Sequence, residues 1–161
     1  MKKALKWGVY LLLMAAAAMT LIYRLVNQLP PADLPANLQV LEIFEEGGCL
    51  SCHSADPQVP FYAKLPVAGK IVMKDIDSGY RAYDMTKFME DLRTGQQPGP
   101  VDLAKIEKVI QDGRMPMPKY YLVHWGSSIT DAKRDIVLDW IHSERAAMYA
   151  DNLPECRKAE P

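Results

Sequence analysis

The chain has 161 residues, 49% of them hydrophobic and 24% charged, with a formal net charge of −1 at pH 7. That length suits one small globular domain plus an anchor or tail. The near-neutral charge leaves no electrostatic footprint for nucleic acid, and three cysteines are too few for a disulfide framework.

Lys2, Lys3 and Lys6 form a positive flank before an uncharged apolar run, Trp7 to Tyr23, that Arg24 closes. As a helix this run spans roughly 25 Å, short of the ~30 Å hydrocarbon core. Lysine and arginine stems snorkelling at each end make up the difference. More positive charge precedes the run than follows it, which keeps the N-terminus inside and exports the rest. The alternative is a cleaved signal peptide, for which Ala15 to Ala18 offer a small-residue site. Met19, Leu21 and Ile22 continue the apolar character where a cleavage region turns polar. Residues 1–24 are therefore expected to be an uncleaved signal anchor, a single-pass transmembrane helix in the lipid bilayer.

Residues 25–37, with Pro30, Pro31 and Pro35, read as a stiff extended spacer that holds the next domain off the bilayer. Leu38 to Glu46 follows as a first helix, with Val40 and Phe44 on one face and Leu41 beside them, ending at Gly47-Gly48.

The next five residues are Cys49-Leu50-Ser51-Cys52-His53, the Cys-x-x-Cys-His pattern by which haem c is attached. Two thiols at this spacing add across the two vinyl groups, and the adjacent histidine supplies the proximal nitrogen to iron. Gly47-Gly48 lets the backbone turn closely around a flat ligand. A thioredoxin-type dithiol needs a preceding strand, whereas Leu41, Phe44 and Glu45-Glu46 read as a helix end. A zinc site needs further ligands at close spacing, and only Cys156, His124 and His142 remain, widely scattered. The expected cofactor is one covalent haem c, bound through Cys49, Cys52 and His53.

From Ser54 to Tyr83 no strong period appears, and Pro57, Pro60 and Pro66 break any long element. Asp84 then reads as the N-cap of a helix carrying Met85, Phe88, Met89 and Leu92 inward and stopping by Gly95. After a turn from Gln96 to Pro100, Asp102 to Gln111 is a short helix closed by Gly113. The last helix starts after Thr130 as N-cap, buries Ile136, Val137, Trp140 and Ile141, and runs to about Ala150. Residues 153–161 read as a polar C-terminal tail, with Cys156 a free surface thiol. No strand-like alternation competes. The fold class is mostly α: a small c-type cytochrome-like domain over 38–152, with long loops wrapped around one haem.

A second axial ligand is sought downstream. Arg114-Met115-Pro116-Met117-Pro118 places methionine beside proline in a loop, where proline limits the entropy lost in presenting the sulfur. A thioether is a soft ligand that favours ferrous iron and raises the potential. Met115 is the preferred ligand, with Met117 and His124 as alternatives. Met85 and Met89, at helical spacing, read as packing residues. His142 falls on the polar side of the last helix and reads as solvated.

From Val40 onward the chain resembles the N-terminal monohaem domain of trihaem bacterial cytochrome c peroxidases, or quinol peroxidases. The similar stretches are Val40-Leu41 with Gly48 to His53, Val59-Pro60-Phe61-Tyr62, Asp77-Ser78-Gly79-Tyr80, Met115 to Trp125 and Leu138-Asp139-Trp140-Ile141. The family pattern is Met-Pro, a Tyr, then His-Trp, with the methionine as distal ligand; Met115, nine residues before His124, occupies that position. Where the family often has Met-Pro-Pro, this chain has Met-Pro-Met.

The resemblance implies a periplasmic electron-transfer module on the bacterial inner membrane. A membrane quinol or a cytochrome would be its donor and a dihaem cytochrome c peroxidase-like protein its acceptor. It also implies a stand-alone or split-off electron-entry domain, or a fragment of a longer peroxidase. Two other classes stand beside this reading. A peroxide-reducing haem enzyme would need an open distal position and a polar group to assist O–O cleavage. A haem-based sensor would need an effector domain. The chain itself is not expected to be an enzyme.

Overall fold

A computed structural model describes residues 2–121 and 123–157, with side chains for residues 3, 5–121 and 123–150. The described residues contain helices and no strand, in agreement with the mostly-α expectation. Helix α1 runs Lys2–Val26, α2 Ala36–Glu46, α3 Pro66–Ala82, α4 Thr86–Thr94, α5 Pro100–Asp112, α6 Pro118–Tyr121 and α7 Asp131–Arg157.

Helices α2, α4, α5 and α7 enclose the core. Val40, Ile43 and Phe44 of α2 meet Phe88, Met89 and Leu92 of α4, Leu103 and Ile110 of α5, and Val137, Trp140 and Ile141 of α7. The Phe88 ring stands edge-on to Phe44 at 5.8 Å and to Trp140 at 6.2 Å, the geometry the aromatic quadrupole favours. The Thr130 cap is as the sequence suggests, whereas Met85 rather than Asp84 takes the cap position of α4, with the Asp84 side chain one residue ahead of it. The Asp84 carboxylate accepts the Thr86 amide at 2.9 Å, and the Thr130 hydroxyl accepts that of Lys133 at 3.3 Å. Gly95 and Gly113 close α4 and α5 in the left-handed region, at φ 70° and 61°.

Four further features depart from expectation. Helix α3 fills 17 residues of the stretch read as irregular. Pro66 opens this helix at its first turn, where a missing N–H costs nothing. Its buried positions are Gly69, Ile76 and Gly79, while Val67, Ile71 and Met73 are exposed, so no hydrophobic period betrays it.

The second departure lies between 25 and 37, where α1 continues to Val26 and α2 begins at Ala36. The residues between them are tied down. The Asn27 amide bonds the loop at Trp125, Asn37 Nδ2 reaches the Leu92 carbonyl at 2.7 Å, and Gln39 Nε2 that of Leu34 at 2.8 Å.

Helix α7 also runs beyond Ala150 to Arg157. The Cys156 side chain, Leu122 and residues 158–161 fall outside the described set. Fourth, His142 is not simply solvated: its Nε2 meets Glu107 Oε1 of α5 at 3.3 Å, beside an Arg145–Glu107 pair at 2.6 Å.

The apolar stretch of α1, Leu5–Val26, is long and apolar enough to cross a membrane. Its 22 residues rise about 33 Å, so the shortfall counted from Trp7 to Tyr23 disappears once the flanks join the helix.

Candidate functional site

The site begins where α2 ends. Gly48 takes φ 66°, and Cys49–Ser51 form a single 3-10 turn. The Cys52 and His53 amides both return to the Cys49 carbonyl, at 3.2 and 3.0 Å. Both thiols and the imidazole therefore leave one tight turn. Two neighbours press on it so closely that only glycine fits. A Cβ on Gly48 would meet the Tyr120 hydroxyl, and one on Gly79 of α3 would lie 2.7 Å from the Cys52 carbonyl oxygen. A cavity of about 410 Å³ opens beside Cys49, with Phe44, Leu50, Ser54 and Met89 in its wall.

His53 is held from two directions by the segment before α4. Its carbonyl accepts the Met85 amide at 2.8 Å, and its Nδ1 lies 2.9 Å from the Tyr83 carbonyl. A carbonyl can only accept, so Nδ1 carries the hydrogen and the Nε2 lone pair is left for a ligand. Tyr83 is fixed in turn: its hydroxyl donates to Asp102 Oδ1 at 2.8 Å, and the Lys105 ammonium lies 4.6 Å over its ring. Burial raises the Tyr83 phenol well above its ordinary range, and the Asp102 carboxylate adds to the shift.

The thiols do not suit disulfide exchange. Burial pushes the Cys49 thiol up to about 12. Cys52 is also raised, first by burial and then by the Asp75 carboxylate, with Lys119 partly opposing. A reactive dithiol needs the opposite shift. Among the described residues, no group of three His, Cys, Asp or Glu side chains is placed to hold a metal ion.

The His124 ring stacks on Tyr120 at 3.9 Å and meets Tyr62 edge-on at 6.2 Å. His124 Nδ1 lies 3.3 Å from the Tyr120 carbonyl. Burial raises the Tyr62 and Tyr120 phenols, and nearby Cys52 adds to both shifts. Met115 and Met117 lie on the loop from α5 into α6, where the Tyr120 amide bonds the Met117 carbonyl at 2.8 Å. Met115 is 37% exposed and Met117 half-buried.

Tyr83 and Asp102 escape the sequence reading, while Tyr62, Gly79 and Tyr120 fall in its family-like stretches without a stated role. For Tyr120 a signal exists, since it stands four residues before His124 and so one helical turn away. Tyr83 acts through its carbonyl, which no residue type announces.

Residues 13–143 match the haem-binding domain family. The chain belongs to that family. This haem-binding domain is 34% identical over 123 residues to the cytochrome c peroxidase Ccp of Escherichia coli (strain K12), a match covering 75% of the chain and 26% of that protein. The chain thus aligns with about a quarter of its relative's length. No solved structure matches it.

The donor set fits haem. Two thiols on one turn and an imidazole of fixed tautomer offer thioether partners and an axial nitrogen, and the Tyr83 carbonyl supplies the outer-shell bond that orients such a ligand. Bound haem supplies a redox-active iron.

Proposed function

We propose that this haem-binding domain is a monohaem c-type cytochrome, anchored in the bacterial inner membrane by α1 with its haem side in the periplasm. Cys49 and Cys52 hold the macrocycle covalently, His53 Nε2 takes the proximal position and Met115 the distal one. The domain accepts electrons from a membrane quinol or a cytochrome and passes them to a dihaem peroxidase-type partner.

The observation that carries this reading is the 2.9 Å contact from His53 Nδ1 to the Tyr83 carbonyl, made on the turn that presents both thiols. It gives the imidazole a fixed direction and a free Nε2. A haem held by Cys49, Cys52, His53 and Met115 would supply a redox-active iron for electron exchange, which needs no acid–base group.

Haem staining after denaturation tests the attachment. It should survive in the wild type and fail in the Cys49→Ala, Cys52→Ala double variant; loss of haem from the denatured wild type would sink the covalent reading. Function is tested by comparing reduction by quinol analogues with peroxide turnover. Prompt reduction without turnover supports the relay, whereas turnover by the domain alone replaces it with a peroxidase.

A further inference from the structure

Asn27, one residue beyond the end of α1, is 9% exposed, an unusual state for an asparagine between a membrane-span candidate and a proline-rich loop. Its side chain is fully engaged. Nδ2 donates to the Trp125 carbonyl at 2.8 Å and to that of Tyr23 at 3.0 Å, and Oδ1 accepts the Ser128 amide at 3.1 Å. Beside this clamp, a Cβ on Gly126 would lie 3.1 Å from the Val26 carbonyl oxygen, so helix end and loop meet backbone to backbone. The loop from Val123 to Ser128 is therefore fixed to the last turn of α1.

If α1 spans the bilayer, that last turn lies at the edge of the hydrocarbon. The headgroup layer beyond it is about 5–7 Å thick on each side. A loop hydrogen-bonded to Asn27 and packed against the Val26 carbonyl falls inside this layer. It carries apolar side chains that the domain leaves uncovered: Val123 is 59% exposed and Trp125 51%, and Leu29, just past the clamp, is 52% exposed. Tryptophan, with an apolar body and one N–H donor, favours the headgroup level.

We propose that Val123, Trp125 and Leu29 form a bilayer-contact surface continuous with α1, which holds the domain down on the headgroups. The occupant is lipid because the surface adjoins the span itself and is locked to it by Asn27. The proposal rests on the reading of α1 as a membrane span.

The test uses the haem-loaded full chain in phosphatidylcholine vesicles, in a Cys156→Ser background. Nitroxide labels are placed at Val123→Cys and Trp125→Cys, with Met14→Cys as span reference and Lys108→Cys as aqueous reference. Collision with oxygen and with a water-soluble nickel complex is then read by electron paramagnetic resonance. Labels at 123 and 125 should be shielded from nickel several-fold relative to 108, and Asn27→Ala should restore nickel access at 125. Free nickel access at 123 and 125 while position 14 stays oxygen-rich would overturn the contact surface and leave the anchor standing. An aqueous position 14 would instead remove the anchor, and the inference with it. Shielding that appears only as the protein-to-lipid ratio rises would assign the surface to a second copy and overturn the lipid assignment.

Discussion

His53 and Tyr83 are joined by a hydrogen bond that leaves the imidazole no choice of tautomer: Nδ1 donates to the Tyr83 carbonyl at 2.9 Å, and Nε2 is free. The Tyr83 side chain secures that carbonyl from the other end, through its 2.8 Å bond to Asp102 on α5.

The Tyr83–Asp102 bond should show in the alkaline stability of the protein. The phenol ionises less readily folded than unfolded, so the folded state keeps its proton as pH rises past the ordinary tyrosine value of 10.0. This contribution to stability is complete below that pH and is lost progressively above it. Tyr83→Phe should cost about 1 kcal/mol at neutral pH and flatten the alkaline decline. Denaturant unfolding across the pH range checks both; equal alkaline slopes in the two proteins would refute the assignment.

The distal ligand separates Met115 from its neighbours. Met115→Ala should abolish the sulfur-to-iron charge-transfer band of the ferric protein and lower the potential, because the ferrous-favouring thioether is gone. Met117→Ala should leave both nearly unchanged. Loss of the band in the Met117 variant alone would move the ligand two residues along the chain. Retention in both would point to His124 and withdraw the high-potential relay.

Membrane attachment is checked by fractionation and N-terminal sequencing. Full-length protein is expected in the membrane pellet. Mature soluble protein beginning near Met19 would establish a cleaved signal instead.

Lys133 gives a stability prediction. Its side chain is 1% exposed and its ammonium sits 2.7 Å from Glu46, at the end of α2 just before the haem motif. Lys133→Ala should cost about 1–3 kcal/mol, less than a fully buried pair because Glu46 still reaches water. Lys133→Met, which keeps the volume, should cost less. Thermal unfolding of the haem-loaded variants gives the order, and an alanine variant as stable as wild type would show that the pair contributes nothing.

Much of the bundle is legible in the sequence because α2, α4, α5 and α7 each bury side chains at helical spacing. Val40, Phe44, Phe88, Leu92, Leu103 and Ile141 are large, apolar and inward. The run Cys49–His53 is legible for another reason: its reactive atoms belong to adjacent residues, so spacing alone describes them. Helix α3 is not legible, since glycine marks two of its three buried positions. Nor is the Asn27 clamp, in which an amide 98 residues from Trp125 bonds a main-chain oxygen. The orienting carbonyl of Tyr83 is likewise a backbone atom, identical in every residue.

Helix α3 reverses the usual economy of helix substitution. In most helices, replacing glycine with alanine gains about 1 kcal/mol by limiting the unfolded chain and favouring the helical one. At Gly69 and Gly79 the added methyl would strike the main chain of Ala63 and of Cys52. The intrinsically best helix former is thus excluded both at Gly69, against Ala63, and at Gly79, where the helix lies against the haem motif. In this helix two of the three buried positions constrain the smallest side chain, and only Ile76 buries a bulky one.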